Sequence, residues 1–420
     1  MLEIIADLHV HSRFSMACSQ SITLSSMDTA AKQKGIGLIG TGDFTHPLWL
    51  DEIKKGLVEA ESGLYKLKGS ATGTRFMLSV EVANIFESGG KTRKVHNVVL
   101  APSIEIAEQI NGMLANYGNL MSDGRPVLSM SLAELVEIMH GISDRIFVFS
   151  AHCWTPWYGV LGSFSGFDSI EEAYEDQAMH IHALETGLSS DPAMNWRVSA
   201  LDKYTLLSNS DAHSLPKLGR EGNLFEVREG RLSYDEIISA ITEKDPKKLK
   251  STIEFYPEEG KYHYDGHRNC GVSLSPEAAK KYNNRCPVCG KPLTIGVLHR
   301  ANELSDRPEG YVPSGAIPFV HAVPLRETIA YMMRKNESAR AVNEAYEGLV
   351  ERFGSEFNVL LKARVEEIAG IDKDLAKALA NIRNEKVNLI PGYDGVFGVV
   401  DIMGRIRKKK EGAQSSLTEF

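Results

Sequence analysis

The chain has 420 residues, which points to two or three domains rather than one core. It is 43% hydrophobic and 24% charged, as soluble globular proteins are, and no run of about 18 apolar residues marks a membrane span. A net charge of −8 excludes a protein that holds nucleic acid by charge alone. It does not exclude an enzyme acting on nucleic acid, because bound cations add charge that residue counting omits. The opening MLEIIADLHV has no basic lead and reads as a core strand rather than an export signal. Among five cysteines, Cys286 and Cys289 form a C-x-x-C, which favours metal binding over a disulfide framework.

Residues 2–12 read LEIIADLHVHS. In an extended strand, positions two apart share a face, so His9 and His11 can aim both imidazoles at one point. Neutral nitrogen donors with a carboxylate nearby are what a divalent cation needs. Asp7, also two residues from His9, is expected to hold a ligand histidine from behind.

Up to about residue 245, apolar runs alternate with helical patterns. The runs are LEIIAD, IGLIGTGD, RFMLSVE, VHNVVLA, RIFVFSAH, IHALETG and YTLLSNSDAH, and helical patterns fall at 27–35 and 131–141. Repeated β–α units imply a parallel sheet or barrel, here of seven strands. Polar residues recur at the ends of the runs: Asp43 and His46, Glu81, His152, Glu185, then Asp211 and His213. His96 alone stands at the start of its run. In a barrel the C-terminal strand ends meet at one mouth, where active sites are built. So many His, Asp and Glu at successive ends imply a multinuclear metal centre.

The ordered motifs DLHVHS, TGDFTH, Glu81, VHNVVL, FSAH and SNSDAH resemble the polymerase-and-histidinol-phosphatase (PHP) superfamily over residues 1–245. The resemblance implies a distorted (β/α)7 barrel whose two or three Zn, Mn or Mg ions hydrolyse phosphoesters. It assigns His9, His11, Glu81 and Asp211 to one ion and Glu81, His96 and His152 to a second, with Glu81 bridging. His213 would join a third. Asp43 and His46 depart from the family's adjacent Asp-His, and SRFSMACSQ lacks the usual early histidine, leaving His46 and Cys18 as substitutes. Catalysis falls to Asp211, Glu81 and His152; Cys153 is expected to be structural.

The loop CWTPWYGVLGSFSGF follows His152. Its rings either pack the barrel rim or offer Trp154, Trp157 and Tyr158 to a nucleotide base. Asp191 is expected to cap a helix starting at Pro192, which places Asn195 and Arg197 where they either contact phosphate or sit solvated.

A charged, proline-containing connector, EKDPKKLK, closes this first domain, and a module at 246–324 follows. His267 with Cys270, and Cys286 with Cys289, form two ligand pairs spaced as in a zinc ribbon, with His263 as an alternative fourth ligand. Residues 325–403 show helical spacing, and 365–384 resembles a helix-hairpin-helix DNA-backbone module, though Gly370-Ile371-Asp372 replaces its Gly-x-Gly. The stretch 390–402 is a glycine-rich, strand-like turn. Residues 404–420 are expected to form a basic, flexible tail, in which Gln414, Leu417 and Phe420 resemble the motif by which repair proteins dock on a sliding clamp such as PCNA.

Barrel, zinc ribbon and clamp tail together resemble the archaeal endonuclease Q family. This implies a monomeric, cytoplasmic, nucleoid-associated repair nuclease. It would cut damaged DNA 5′ to hypoxanthine, uracil, xanthine or an abasic site. A PHP phosphatase acting on a small phosphorylated metabolite is the alternative; it leaves the ribbon and tail without a purpose.

Overall fold

The computed structural model describes residues 1–405. The seven apolar runs form strands β1 (Leu2–Asp7), β2 (Ile36–Gly40), β3 (Arg75–Ser88), β4 (Lys91–Ala101), β5 (Phe147–Ser150), β6 (Ala183–Glu185) and β7 (Thr205–Leu207). They lie side by side in that order, β1 to β7. The sheet curls until the segment after β7 meets the segment after β1. There Asp211 N donates to His9 O (2.9 Å), His11 N to Ala212 O (3.1 Å) and Leu8 N to Asn209 Oδ1 (2.8 Å). The result is a distorted seven-stranded barrel whose seam is sewn by the residues beside the metal motif.

The barrel is not wholly parallel. β3 and β4 form an antiparallel hairpin, and β4 is also antiparallel to β5. The turn is Gly89-Gly90, both at positive φ, a double glycine that the sequence displays openly. His96 lies in the middle of β4 rather than at its start, paired across the hairpin with Ala83, two residues beyond Glu81.

The sheet also continues past residue 245. Strands β8 (Gly222–Val227), β9 (Leu249–Glu254) and β10 (Phe319–His321) extend it from β1. The charged connector is therefore a turn between the helix Tyr234–Thr242 and β9, and the expected division at 245 falls inside a continuous sheet.

The expected helices occur at Leu24–Lys34 and Leu132–Ile142. Thr23 and Ser131 cap them by accepting from the amides of Ser26 and Glu134. Gly35 ends the first at φ +86°, where a Cβ would lie 2.6 Å from Ser355 Oγ. The C-terminal helices press against the barrel at this point. They are Leu325–Met333, Arg340–Phe353, a π turn at Asn358–Lys362, Val365–Ala369 and Lys373–Arg383. Arg383 spans the π turn by donating to the carbonyls of Val359, Leu360 and Ala363 at 2.7–2.8 Å. In the hairpin between the last two helices, the Asp372 carboxylate already accepts from the amides of Asp374 and Leu375. The stretch 390–402 is a hairpin, Asn388–Ile390 with Val399–Asp401, packed on residues 258–266.

A buried ion pair joins barrel and helices. Lys34 Nζ lies 2.9 Å from Glu356 Oε2, with both side chains under a tenth exposed. Glu356 also accepts from Leu325 N and Tyr346 OH. Glu356→Ala should therefore destabilise the protein by about 3–5 kcal/mol, since it leaves a buried cation unpaired. Thermal unfolding measures this, and an unchanged melting temperature would refute it.

Candidate metal centre

The segment that continues β1, bridged to Ala212 at Val10, delivers His9 and His11 to the mouth, both buried. Glu81 comes from the middle of β3, His96 from β4, His152 from the end of β5 and Asp211 from the segment after β7. Ligand atoms of His9, His11, Glu81 and Asp211 all lie within 4.8 Å of one another, and so do those of Glu81, His96 and His152. Glu81 belongs to both groups through different oxygens. Oε2 is 3.2 Å from His11 Nε2 and 3.6 Å from His9 Nε2, while Oε1 is 2.6 Å from His96 Nδ1 and 3.0 Å from His152 Nε2. Asp43, His152 and Asp211 all sit at positive φ, a costly backbone choice for non-glycine residues. Gly187, at φ +66°, makes room behind His152, because a Cβ there would lie 2.6 Å from the histidine's own.

The donor set fits cations. His9 Nε2 is buried with no hydrogen-bond partner. His96 Nδ1 and His152 Nε2 face each other at 3.2 Å. Burial pulls His96 down to about 4, so the ring is neutral at neutral pH and has one nitrogen able to bind a cation. For Asp211, burial pushes the carboxyl up, but His11 and His9 outweigh it and hold the carboxylate well below its usual range.

Two carboxylates brace the histidines from behind. Glu185 takes the Nδ1 side of His9 at 3.0 and 3.1 Å and accepts from the His152 amide at 2.8 Å. Asp43 takes His11 Nδ1 at 3.0 Å. Each contact fixes the tautomer that turns Nε2 toward the centre. Asp7 does not do this. It accepts from the amides of Ser210 and Gly219 and so staples the seam; burial raises its carboxyl to about 6.

The residues expected at a third ion are not members of the two groups but flank the first: Asp43 lies against His11 Nδ1, and the His213 ring packs on the His11 ring at 4.5 Å. The second oxygen of Asp43 is taken by Ser12 N, Ser12 Oγ and Ser15 Oγ. His46 stacks on Phe14 at 4.3 Å and its Nδ1 is unpaired. His213 Nδ1 points to the backbone oxygen of Asp211 at 2.9 Å. Burial pushes the Cys18 thiol up to about 12, which keeps it neutral. Cys153 is fully buried and its thiol is likewise raised, so it is no nucleophile. Arg125 went unnoticed in the sequence; its guanidinium lies 3.1 Å from Glu81 Oε2.

The base- and phosphate-contact expectations need correction. Trp154 is buried and donates to Asn195 Oδ1 at 2.8 Å, so neither faces DNA. Asn195 sits at the short helix that Asp191 caps, as its spacing suggests. Arg197 is spent on Asn302 and Ser305. Trp157 is exposed and lies parallel to Phe164 at 4.8 Å, with Tyr262 edge-on at 5.4 Å. Tyr158 lies against His96 at 4.3 Å.

Ligand atoms of His267, Cys270, Cys286 and Cys289 also gather within 4.8 Å. Burial pushes the Cys286 thiol up, but the amides of Cys289 and Val288 outweigh it and favour the thiolate. That donor set fits a tetrahedral zinc. His263 is outside the group; it is buried and stacked on Tyr264.

Residues 324–386 match the MJ0043 C-terminal domain family. The chain is 33% identical to the Methanocaldococcus jannaschii protein MJ0043 over 254 residues, 59% of this chain but only 31% of that protein. It is 29% identical to Bacillus subtilis YqxK over 95% of this chain and all of that one. The lesion-specific endonuclease PfuEndoQ of Pyrococcus furiosus superposes with a TM-score of 0.85 at 30% identity, covering 99% of this chain and all of that one. Endonuclease Q in complex with a 27-mer duplex carrying an abasic lesion at the active site gives 0.86 at 32%, over 98% and 99%. The chain belongs to the endonuclease Q family. The shared fold spans barrel, cysteine module and helical region alike, so the family resemblance read from the barrel motifs extends over the described chain.

Glu185→Gln should weaken binding of active-site metal roughly 10–100-fold, because a single amide oxygen replaces the two carboxylate oxygens that together accept from His9 and the His152 amide. Titration of manganese into metal-stripped protein measures this, and wild-type affinity in the variant would refute it.

Proposed function

We propose that the protein is a metal-dependent DNA repair endonuclease that hydrolyses the phosphodiester backbone beside a damaged nucleotide. The observation that carries this reading is Glu81, one carboxylate facing two ligand groups at a barrel mouth. The family supports the substrate. One member is lesion-specific, and the other holds duplex DNA with an abasic lesion at its active site.

His9, His11, Glu81 and Asp211 would hold one ion, and Glu81, His96 and His152 a second. Divalent cations there supply an activated water, a grip on the phosphate oxygens and stabilisation of the leaving oxygen. Zn, Mn and Mg all remain compatible with such ligands. The chain's own part is to fix the imidazoles through Glu185 and Asp43. It also offers the exposed Trp157–Phe164 stack, braced by Tyr262, as a platform for a base displaced from the duplex. A zinc ion in the Cys3His group would set the module that carries this brace.

The lesions we propose are hypoxanthine, uracil, xanthine and the abasic site, with cleavage on the 5′ side. Purified protein with manganese or magnesium should nick such duplexes and spare undamaged DNA. Asp211→Ala should abolish nicking while preserving the thermal transition. Trp157→Ala with Phe164→Ala should cost roughly 10-fold or more on duplex lesions, one stacked base contributing about 1–3 kcal/mol. Hydrolysis of a sugar phosphate without any nicking would overturn the assignment.

The clamp-docking residues Gln414, Leu417 and Phe420 lie outside the described residues. We propose that they tether the enzyme to a sliding clamp, which would keep it with DNA in the cytoplasm. Removing residues 414–420 should abolish clamp binding in a pull-down and leave nicking of short oligonucleotides intact; retained binding would refute the role.

A further inference from the structure

Arg125 occupies an unusual place for a cation. Its guanidinium contacts Glu81 Oε2 at 3.1 Å, the same oxygen that faces His9 and His11. Its side chain is 24% exposed, so it stands between the buried ligands and the open mouth. Its backbone is held on both sides. Ala83 N donates to the carbonyl of Pro126, and Val127–Leu128 pairs with β3 two residues beyond Glu81. On the other side, Gly124 N donates to Phe14 O, and a Cβ on Gly124 would come within 2.4 Å of Asp43 Oδ2. The residue is anchored to the strand of Glu81 and the loop of His11 at once.

The charges around it decide its role. Glu81 and Asp211 lie within the ligand groups, and Glu185 and Asp43 sit directly behind them. The nearby Asp123 is spent on the amides of Arg125 and Met16. Two divalent cations would balance the four carboxylates of the centre. An ion at Glu81 Oε2 would compete with the guanidinium that now donates to that same oxygen at 3.1 Å. A phosphodiester carries a single negative charge and presents two free oxygens, which match a guanidinium fork.

We propose that Arg125 is a phosphodiester-binding residue of this centre, and that in the metal-free protein it is the counter-ion of Glu81. Metal binding displaces it from Glu81 and frees it to hold the substrate phosphate at the mouth. The proposal rests on the phosphodiesterase reading above, but its two halves are read by separate measurements.

The variants are Arg125→Gln and Arg125→Lys in the full chain, with the zinc content of the cysteine module verified. Calorimetric titration of manganese into protein stripped of active-site metal tests the counter-ion half. Arg125→Gln should bind manganese several-fold more tightly than wild type, because nothing competes for Glu81. Equal or weaker binding overturns that half whatever the enzyme cuts. The second half is read at saturating manganese on lesion duplexes and on bis(4-nitrophenyl) phosphate, a diester without bases. Arg125→Gln should lower kcat/KM roughly 10–100-fold on both, the loss expected for one charge-assisted hydrogen-bonding pair, with Arg125→Lys recovering part of it. Values within about twofold of wild type overturn it, as does a loss on DNA alone. If wild type cleaves the simple diester but no DNA, the DNA reading fails and the role of Arg125 in diester binding is still decided.

Discussion

The architecture turns on one shared carboxylate. Glu81 lies buried at the middle of β3 with each oxygen facing a different set of imidazoles. A buried carboxylate is costly unless cations or donors surround it. Here they come from four separate parts of the chain: the segment after β1, β4, the end of β5 and the loop carrying Arg125. The barrel must close for these to meet. Its seam closes through residues of the ligand groups, since Asp211 N and His11 N make the hydrogen bonds that join the two rims. Closure and ligand assembly are one event, so damage to the seam at Asp7 or Asn209 would reach the metal centre through the backbone.

Support behind the ligands follows a consistent rule. The inner nitrogens of His9 and His11 face the centre only because Glu185 and Asp43 occupy the outer ones. Glu185 adds a second duty by receiving the amide of His152, a residue held at an unfavourable φ of +28°. One side chain thus orients a histidine in each of the two groups. Behind Glu185 the burial continues into Glu254 and Glu221, whose carboxyls are raised by desolvation, Glu254 to about 7. Burial thus disfavours further negative charge in this deeper layer, beneath the bracing carboxylates of Glu185 and Asp43.

Much of this was legible in the residues. Seven apolar runs gave seven strands in their spatial order, because each run was short, β-rich and bounded by polar residues. The motif residues at their ends converge for the same reason. The direction of β4 was less plain, although Gly89-Gly90 between two strand-like runs signals a hairpin. His96 stands at the start of its apolar run but in the middle of β4, which begins at Lys91. The roles of Asp7 and Asp43 were not legible. A carboxylate beside a histidine motif can bind metal, brace a ring or staple a seam, and only the three-dimensional neighbours decide. For Asp43 the neighbours are Ser12 and Ser15, from the very stretch that lacked the expected histidine. That stretch supplies hydroxyls to a bracing carboxylate where a third site would need a nitrogen.

The same ambiguity governed Trp154, Asn195 and Arg197. Polar and aromatic residues after a metal motif suggest substrate contact, yet these three hold the rim together. Arg197 reaches Asn302 on the helix Val297–Leu304, which follows the four cysteine-module ligands, and Arg300 on that helix donates back to the carbonyls of Leu161 and Phe167. The loop after His152 is therefore braced by residues from 130 positions further along the chain. Its exposed pair, Trp157 with Phe164, gains its third ring, Tyr262, from that same module. The cysteine module thus acts on the mouth without touching the metal centre, by fixing the aromatic ledge beside it. A barrel alone would carry the ligand groups and leave that ledge without its brace, Tyr262.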